Sequence, residues 1–174
     1  MRFCKCVCAP LVSSAPAALP AFHAAGIALV EQPLPIGQEA ELDGLDAPIP
    51  LAADESVQCM ADIAPLAGRF DAINIKLDKC GGLTEAFLMA DEAKRLGMKV
   101  MVGNMLGTAL SMGPAMLVGQ FCDIVDLDGP FLLAGDRTPP TEYKDGYVTC
   151  PPQIWGTPRA NPTPLRNPQA IATP

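Results

Sequence analysis

Histidine occurs once in this 174-residue chain, at His23, tryptophan occurs once, and aromatic residues make up only 5% of the total. That scarcity removes the usual zinc sets. Cys4, Cys6 and Cys8 alternate near the start, but no histidine or further cysteine lies close enough to complete four ligands. Long hydrophobic runs are also missing: none approaches the ~20 residues of a membrane-spanning helix. The opening segment lacks the unbroken apolar stretch of a signal peptide, because Pro10 and Pro16 interrupt it. Basic residues are in deficit, 12 against 19 acidic ones, for a net charge of −7. That balance argues against nucleic acid and against membrane surfaces as partners. Seven cysteines, an odd number, are scattered without a framework through Cys59, Cys80, Cys122 and Cys150. They read as the free thiols of a reduced, cytoplasmic protein.

What remains is an apolar chain, 49% hydrophobic, long enough for one domain with a real core. With few aromatics, that core suits a sheet of Val, Ile, Leu and Ala. The most informative stretch is Asp71 to Gly82, D-A-I-N-I-K-L-D-K-C-G-G. Ala72 to Ile75 has the composition of a buried strand. It ends on Lys76, and two glycines lead into a helical pattern in which Leu83, Ala86, Phe87, Ala90 and Ala93 share one face. Gly97 stands where a helix-terminating glycine belongs. Four other apolar runs behave alike. Gly26–Val30 closes on Glu31-Gln32-Pro33, and Ile49–Ala53 on Asp54-Glu55-Ser56. Met98–Val102 closes on Gly103-Asn104-Met105, and Asp123–Val125 on Asp126-Leu127-Asp128. Helix-like segments lie between them: a turn or two within Gln38–Leu45, then Val57–Ala67, broken by Pro65, and Thr108–Val118.

Strands recur every 22 to 26 residues or so, the rhythm of βα units in a parallel sheet. A doubly wound sheet and a (β/α) barrel share it. The barrel is favoured because every strand, not only those beside one switch point, ends on a polar residue. The fold class is therefore α/β, a partial TIM-type barrel. Residues 1–20 have no clear period and read as a poorly determined segment, 21–150 as the partial barrel, and 151–174 as a proline-rich tail. Gly146–Thr149 is a candidate short strand.

Glu31 and Asp54 stand at consecutive strand ends. Adjacent parallel strands lie ~4.8 Å apart, so two carboxylates there can reach one point. Oxygen ligands of that kind suit Mg²⁺, which takes a few carboxylates and keeps waters. Lys76 follows on the next strand. An ammonium beside a divalent cation has its pKa pushed down, which makes the amine a usable general base. Asp126 and Asp128, across the mouth, can receive a substrate ammonium. Taken singly, each has a blander reading, as a solvated loop charge or a helix cap. Asp78, Lys79 and Glu55 are read as loop charges, His23 as structural, and Cys80 as a packing residue. The joint placement of the others, on successive strand ends around one mouth, gives the functional reading its weight.

The same residues carry a resemblance. V-E-Q-P at Val30–Pro33, A-D-E-S at Ala53–Ser56, N-I-K-L-D-K-C-G-G at Asn74–Gly82, G-N-M at Gly103–Met105 and D-L-D-G-P at Asp126–Pro130 together resemble the C-terminal half of enolase-superfamily enzymes of the muconate-lactonizing subgroup. The D-x-D ending is most similar to the dipeptide epimerases, which interconvert L-Ala-D-Glu and L-Ala-L-Glu. The resemblance implies half of a (β/α)₇β barrel. It implies Glu31 and Asp54 as two of three Mg²⁺ ligands, and Lys76 as one of two acid/base lysines flanking the substrate α-carbon. It implies Asp126 and Asp128 as the carboxylates that hold the dipeptide's ammonium, with Gly103, Asn104 and Met105 lining its cavity. The implied reaction is a 1,1-proton transfer through an enediolate, in the breakdown of peptidoglycan peptides. Other reactions of the subgroup are the alternatives: N-acyl amino acid racemisation, o-succinylbenzoate synthesis and cycloisomerisation.

No K-x-K precedes Glu31, whereas the family pattern has that motif, a third metal-binding Asp and a capping domain. A whole barrel takes ~250 residues. The expectation is a truncated chain of impaired activity, or a non-catalytic fragment. Its outer strands would be open edges inviting self-association into a homo-oligomer.

Overall fold

A computed structural model of the chain describes residues 6–8 and 15–155. Six short strands form one sheet: β1 (Cys6–Cys8), β2 (Leu29–Glu31), β3 (Leu51–Ala53), β4 (Ala72–Ile75), β5 (Lys99–Val102) and β6 (Ile124–Val125). They are parallel throughout and hydrogen-bonded in chain order. A doubly wound sheet reverses its order at a switch point. This sheet never does, and each strand pairs with its predecessor as in a barrel wall.

The helices are α1 (Ala15–Ala24), the one-turn α2 (Ile63–Leu66), α3 (Leu77–Cys80), α4 (Leu83–Arg95) and α5 (Ala109–Gly119). An antiparallel hairpin follows the sheet, β7 (Glu142–Lys144) and β8 (Tyr147–Thr149). The second of these is the short strand expected near Gly146. Among the described residues no helix is long and apolar enough to cross a membrane.

The register decides which side chains share a face. Glu31 pairs with Ala52, Ala52 with Ala72, Asn74 with Met101, and Met101 with Ile124. Strand side chains alternate with period two, so the residues divide into two sets. Val30, Leu51, Ala53, Ile73, Ile75, Val100 and Val102 join the large core beneath the helices, with Met89, Ala90 and Ala93 of α4 and Met112, Ala115 and Val118 of α5. The other face starts with a thin apolar layer of Leu29, Ala52, Ala72 and Met101, with Ile124 beside it. One step further along the strands the same face carries Glu31, Asp54, Asn74, Gly103 and Asp126. Lys76 lies one step beyond Asn74.

Several expectations differ in extent. The first strand begins at Leu29 rather than Gly26, because Gly26 holds φ +74° and closes the turn after α1. Val57–Ala67 is not one helix. It is a 3₁₀ turn at Met60–Asp62 followed by α2, and Ala67 then turns extended. Within the opening segment read as having no clear period, β1 pairs with β2, and α1 spans the boundary drawn at residue 20 and places Leu19 in the core. His23 lies in the last turn of α1. In the proline-rich tail a 3₁₀ turn spans Pro152–Trp155, and the rest lies outside the described residues. α4 matches the predicted face except that Met89 is its largest fully buried side chain, while Leu83 and Phe87 are half-buried.

Candidate active site at the C-terminal ends of the strands

Three strand ends meet in a network of buried charge. Glu31 is the last residue of β2, Asp54 follows β3, Lys76 follows β4, and all three side chains are buried or nearly so. The Lys76 ammonium lies 2.5 Å from Asp54 Oδ2 and 3.7 Å from Glu31 Oε1. One cation therefore sits between two carboxylates at the point where the strand spacing said they could converge. Gathering two carboxylates in a buried place carries a heavy desolvation cost unless opposite charge compensates it.

Lys79 supplies the second half of that compensation. Its Nζ donates to Asp54 Oδ1, to the Asp54 carbonyl at 2.5 Å and to the Asn74 carbonyl at 3.4 Å. Reading Lys79 as a loop charge is therefore corrected. α3 begins immediately after Lys76, and one helical turn brings residue 79 back over residue 76. The signal was the K-x-x-K spacing itself, which marks a shared face only once the segment is known to be helical. Burial pushes the Asp54 carboxyl up, but its hydrogen bonds with Glu31, Lys76 and Lys79 outweigh that and hold it below its ordinary 3.8.

Asn74 is another residue missed. It is 1% exposed inside β4, and its amide donates to Glu31 Oε1 at 2.5 Å. Its Oδ1 is buried with no hydrogen-bond partner. Asn74 has the strand parity of Lys76, and an amide in the otherwise apolar A-I-N-I run was the signal available for it. Gly103 takes its place here for a steric reason. A Cβ at Gly103 would meet both Asn74 amide atoms at 2.7 Å, so only glycine leaves Asn74 free to reach Glu31.

The ends of β5 and β6 are built differently. Asp126 is half-buried and Asp128 exposed. Burial raises the Asp126 carboxyl above its ordinary value, and the negative charges of Asp128 and Glu31 raise it further against the pull of Lys76. That coupling places Asp126 electrostatically on the face of Glu31 and Lys76. The hairpin braces this loop: Tyr143 donates to the Leu127 carbonyl at 2.5 Å, and its ring packs against Phe131 at 4.2 Å between centroids. Burial and the nearby Asp128, Asp136 and Asp126 push the Tyr143 phenol up to about 12. Asn104 donates to the Met105 carbonyl at 2.7 Å, and Met105 is exposed. Gly103 and Asn104 line a cavity of about 380 Å³, with Leu77, Leu83 and Pro114 among the other walls. Met105, Glu31, Asp54 and Lys76 do not line it.

Glu31 and Asp54 offer hard oxygen donors to a cation. Among the described residues, no group of three His, Cys, Asp or Glu is close enough to hold a metal. The pair suits Mg²⁺ by charge and donor type, because the place between the carboxylates already attracts a cation, the Lys76 ammonium.

Known proteins resemble this chain closely. The N-acetyl-D-glutamate racemase of Pseudoalteromonas sp. is 44% identical over 138 residues, covering 78% of this chain and 44% of that protein. The L-Ala-D/L-Glu epimerase of Escherichia coli K12 is 41% identical over 123 residues, 71% of this chain and 38% of its own length. A crystal structure of an enolase family member from Agrobacterium tumefaciens, with homology to dipeptide epimerases and with bound sodium and L-Ala-L-Glu, aligns with a TM-score of 0.76 at 49% identity. It covers 82% of this chain and 43% of that one. The chain thus spans less than half the length of these relatives. The family model described as enolase C-terminal domain-like matches residues 8–154, and the chain belongs to that family.

Proposed function

We propose that this chain is the C-terminal barrel half of a Mg²⁺-dependent dipeptide epimerase acting on L-Ala-D/L-Glu-type substrates. The observation that supports it most is the placement of Lys76 between two buried carboxylates, on the same sheet face as Asp126. Glu31 and Asp54 would hold the cation, which when bound would neutralise charge developing on the substrate carboxylate.

Glu31 and Asp54 would hold such a cation in place of their ion pairs with Lys76. An ammonium beside a bound divalent cation would be disfavoured relative to the amine, the form in which Lys76 could take a proton. In this reading Lys76 removes the substrate α-proton and Lys79 stays on Asp54. Asp126 and Asp128 hold the α-ammonium, and the negative surroundings that raise Asp126 are relieved when that cation arrives. Inversion needs a second acid on the opposite face, the role that the resemblance gives to a K-x-K lysine. Exchange of the α-proton on one face needs only Lys76.

The experiment is NMR of L-Ala-L-Glu in D₂O with the chain and Mg²⁺. We expect deuterium to enter the glutamate α-position, Lys76→Ala to abolish the exchange, and Mg²⁺ to raise the melting temperature. Absence of both Mg²⁺-linked stabilisation and exchange would leave a non-catalytic fragment as the better reading.

A second reading is favoured by the racemase relative, whose identity is 44% against 41% for the E. coli epimerase. An N-acetylated amino acid has no ammonium for Asp126 and Asp128 to receive. If N-acetylglutamate exchanges faster than the dipeptide, and Asp126→Asn speeds rather than slows it, the racemase reading replaces the first.

A further inference from the structure

Gln32 lies between Glu31 and Pro33 and is not used by the chemistry above. It is 7% exposed, and its backbone holds φ +43°, in the left-handed region that residues with a Cβ rarely adopt. Such a conformation is strained and persists only when the surroundings enforce it. Here the surroundings are hydrogen bonds. The Gln32 Oε1 accepts from the backbone N–H of Asp54 at 2.9 Å and of Ser56 at 3.2 Å. Its Nε2 donates to the Leu34 carbonyl at 2.8 Å and to the Ser56 hydroxyl at 2.7 Å. The amide's two donors and two acceptor positions are all used. The Gln32 backbone N–H donates to the Ala52 carbonyl at 2.8 Å, and the Ser56 hydroxyl donates onward to Glu39 Oε1 at 2.5 Å.

Three of the four side-chain bonds cross from the loop after β2 to the loop after β3. They tie the residue next to Glu31 directly to the backbone of Asp54. The two motifs E-Q-P and D-E-S are thus halves of one clamp. An extended residue at position 32 would carry the amide away from the second loop, which gives the left-handed backbone its purpose.

Resting on the reading of Glu31 and Asp54 as cation ligands, we propose that Gln32 is a positioning residue. It fixes the separation of the two carboxylates and so sets the affinity and geometry of the divalent-cation site. Outer-sphere partners of this kind typically change metal affinity 10- to 100-fold when lost.

The test titrates the purified chain with Mn²⁺ by electron paramagnetic resonance, for the wild type, Gln32→Ala and Ser56→Ala, alongside metal-free thermal melts. Gln32→Ala should weaken Mn²⁺ binding at least ~10-fold and broaden the spectrum of the bound ion. Ser56→Ala should weaken it by a smaller factor. A folded Gln32→Ala that binds Mn²⁺ with wild-type affinity and spectrum, whatever its melting temperature, overturns the proposal. Should Gln32→Ala not fold, wild-type binding by Ser56→Ala overturns it instead. Failure of the wild-type chain to bind Mn²⁺ removes the cation reading itself, and this inference with it.

Discussion

The two sides of the strand-end face follow opposite designs. At the ends of β2, β3 and β4, two carboxylates and two ammonium groups are buried together, and Asn74 and Gln32 hold the carboxylate-bearing segments by hydrogen bonds. At the ends of β5 and β6, two carboxylates lie close to water with only partial compensation, on a loop braced by Tyr143. The first side pairs its charges to neutrality and resists displacement. The second keeps an excess of negative charge facing the opening. On the proposed reading, the first kind of surface suits a pre-formed cation site and the second a site for a positively charged substrate group.

The largest effect should come from breaking the neutral side. Asp54→Ala leaves the Lys76 and Lys79 ammonium groups without their shared carboxylate, and breaking a buried pair by removing one partner costs about 3–5 kcal/mol. Urea denaturation measures it, and a cost below about 1 kcal/mol would mean the network is solvated. The pH dependence has a fixed sign. The folded Asp54 carboxyl lies below its ordinary 3.8, so its contribution is present above that value and is lost as the pH falls through the folded pKa. Acid melts of the wild type should show this loss, and Asp54→Asn should flatten it.

Gly103→Ala comes next. The added methyl displaces Asn74 from Glu31, at a cost of about 1–3 kcal/mol by thermal melt. Pairing it with Asn74→Ala should relieve most of the clash, which a double-mutant cycle reads directly. Tyr143→Phe tests the brace on the acidic side. Loss of its hydrogen bond to the Leu127 carbonyl should cost about 1 kcal/mol and leave the Glu31–Lys76–Asp54 side intact.

The smallest effect should be a gain. The folded Asp126 carboxyl is raised, so its contribution to stability is full below the ordinary 3.8 and is lost as the pH rises through the folded pKa. Asp126→Asn should therefore melt slightly higher than wild type at neutral pH and converge with it in acid. A lower melting temperature at pH 7 would show that Asp126 is paired rather than crowded by negative charge.

Much of this was legible beforehand for a local reason. Apolar runs closed by Glu31, Asp54, Lys76 and Asp126 announce strands whose ends carry charge, and the register places those ends on one face. Other features were not legible. Residues 6–8 have no pattern of their own and become a strand by pairing with β2. Lys79 looks like any loop lysine until one turn of α3 folds it over Asp54. Gln32 is an ordinary polar residue in sequence.

The sequence by itself determined the places of β2 to β6, their chemical endings and the parallel βα rhythm, because period-two burial and chain-reversing glycines act within a few residues. Only the tertiary structure decided that Asn74, Gln32 and Lys79 belong with Glu31 and Asp54. Their partners lie 22 to 43 residues away along the chain, and contacts at that range are set by the order and register of strands in the sheet.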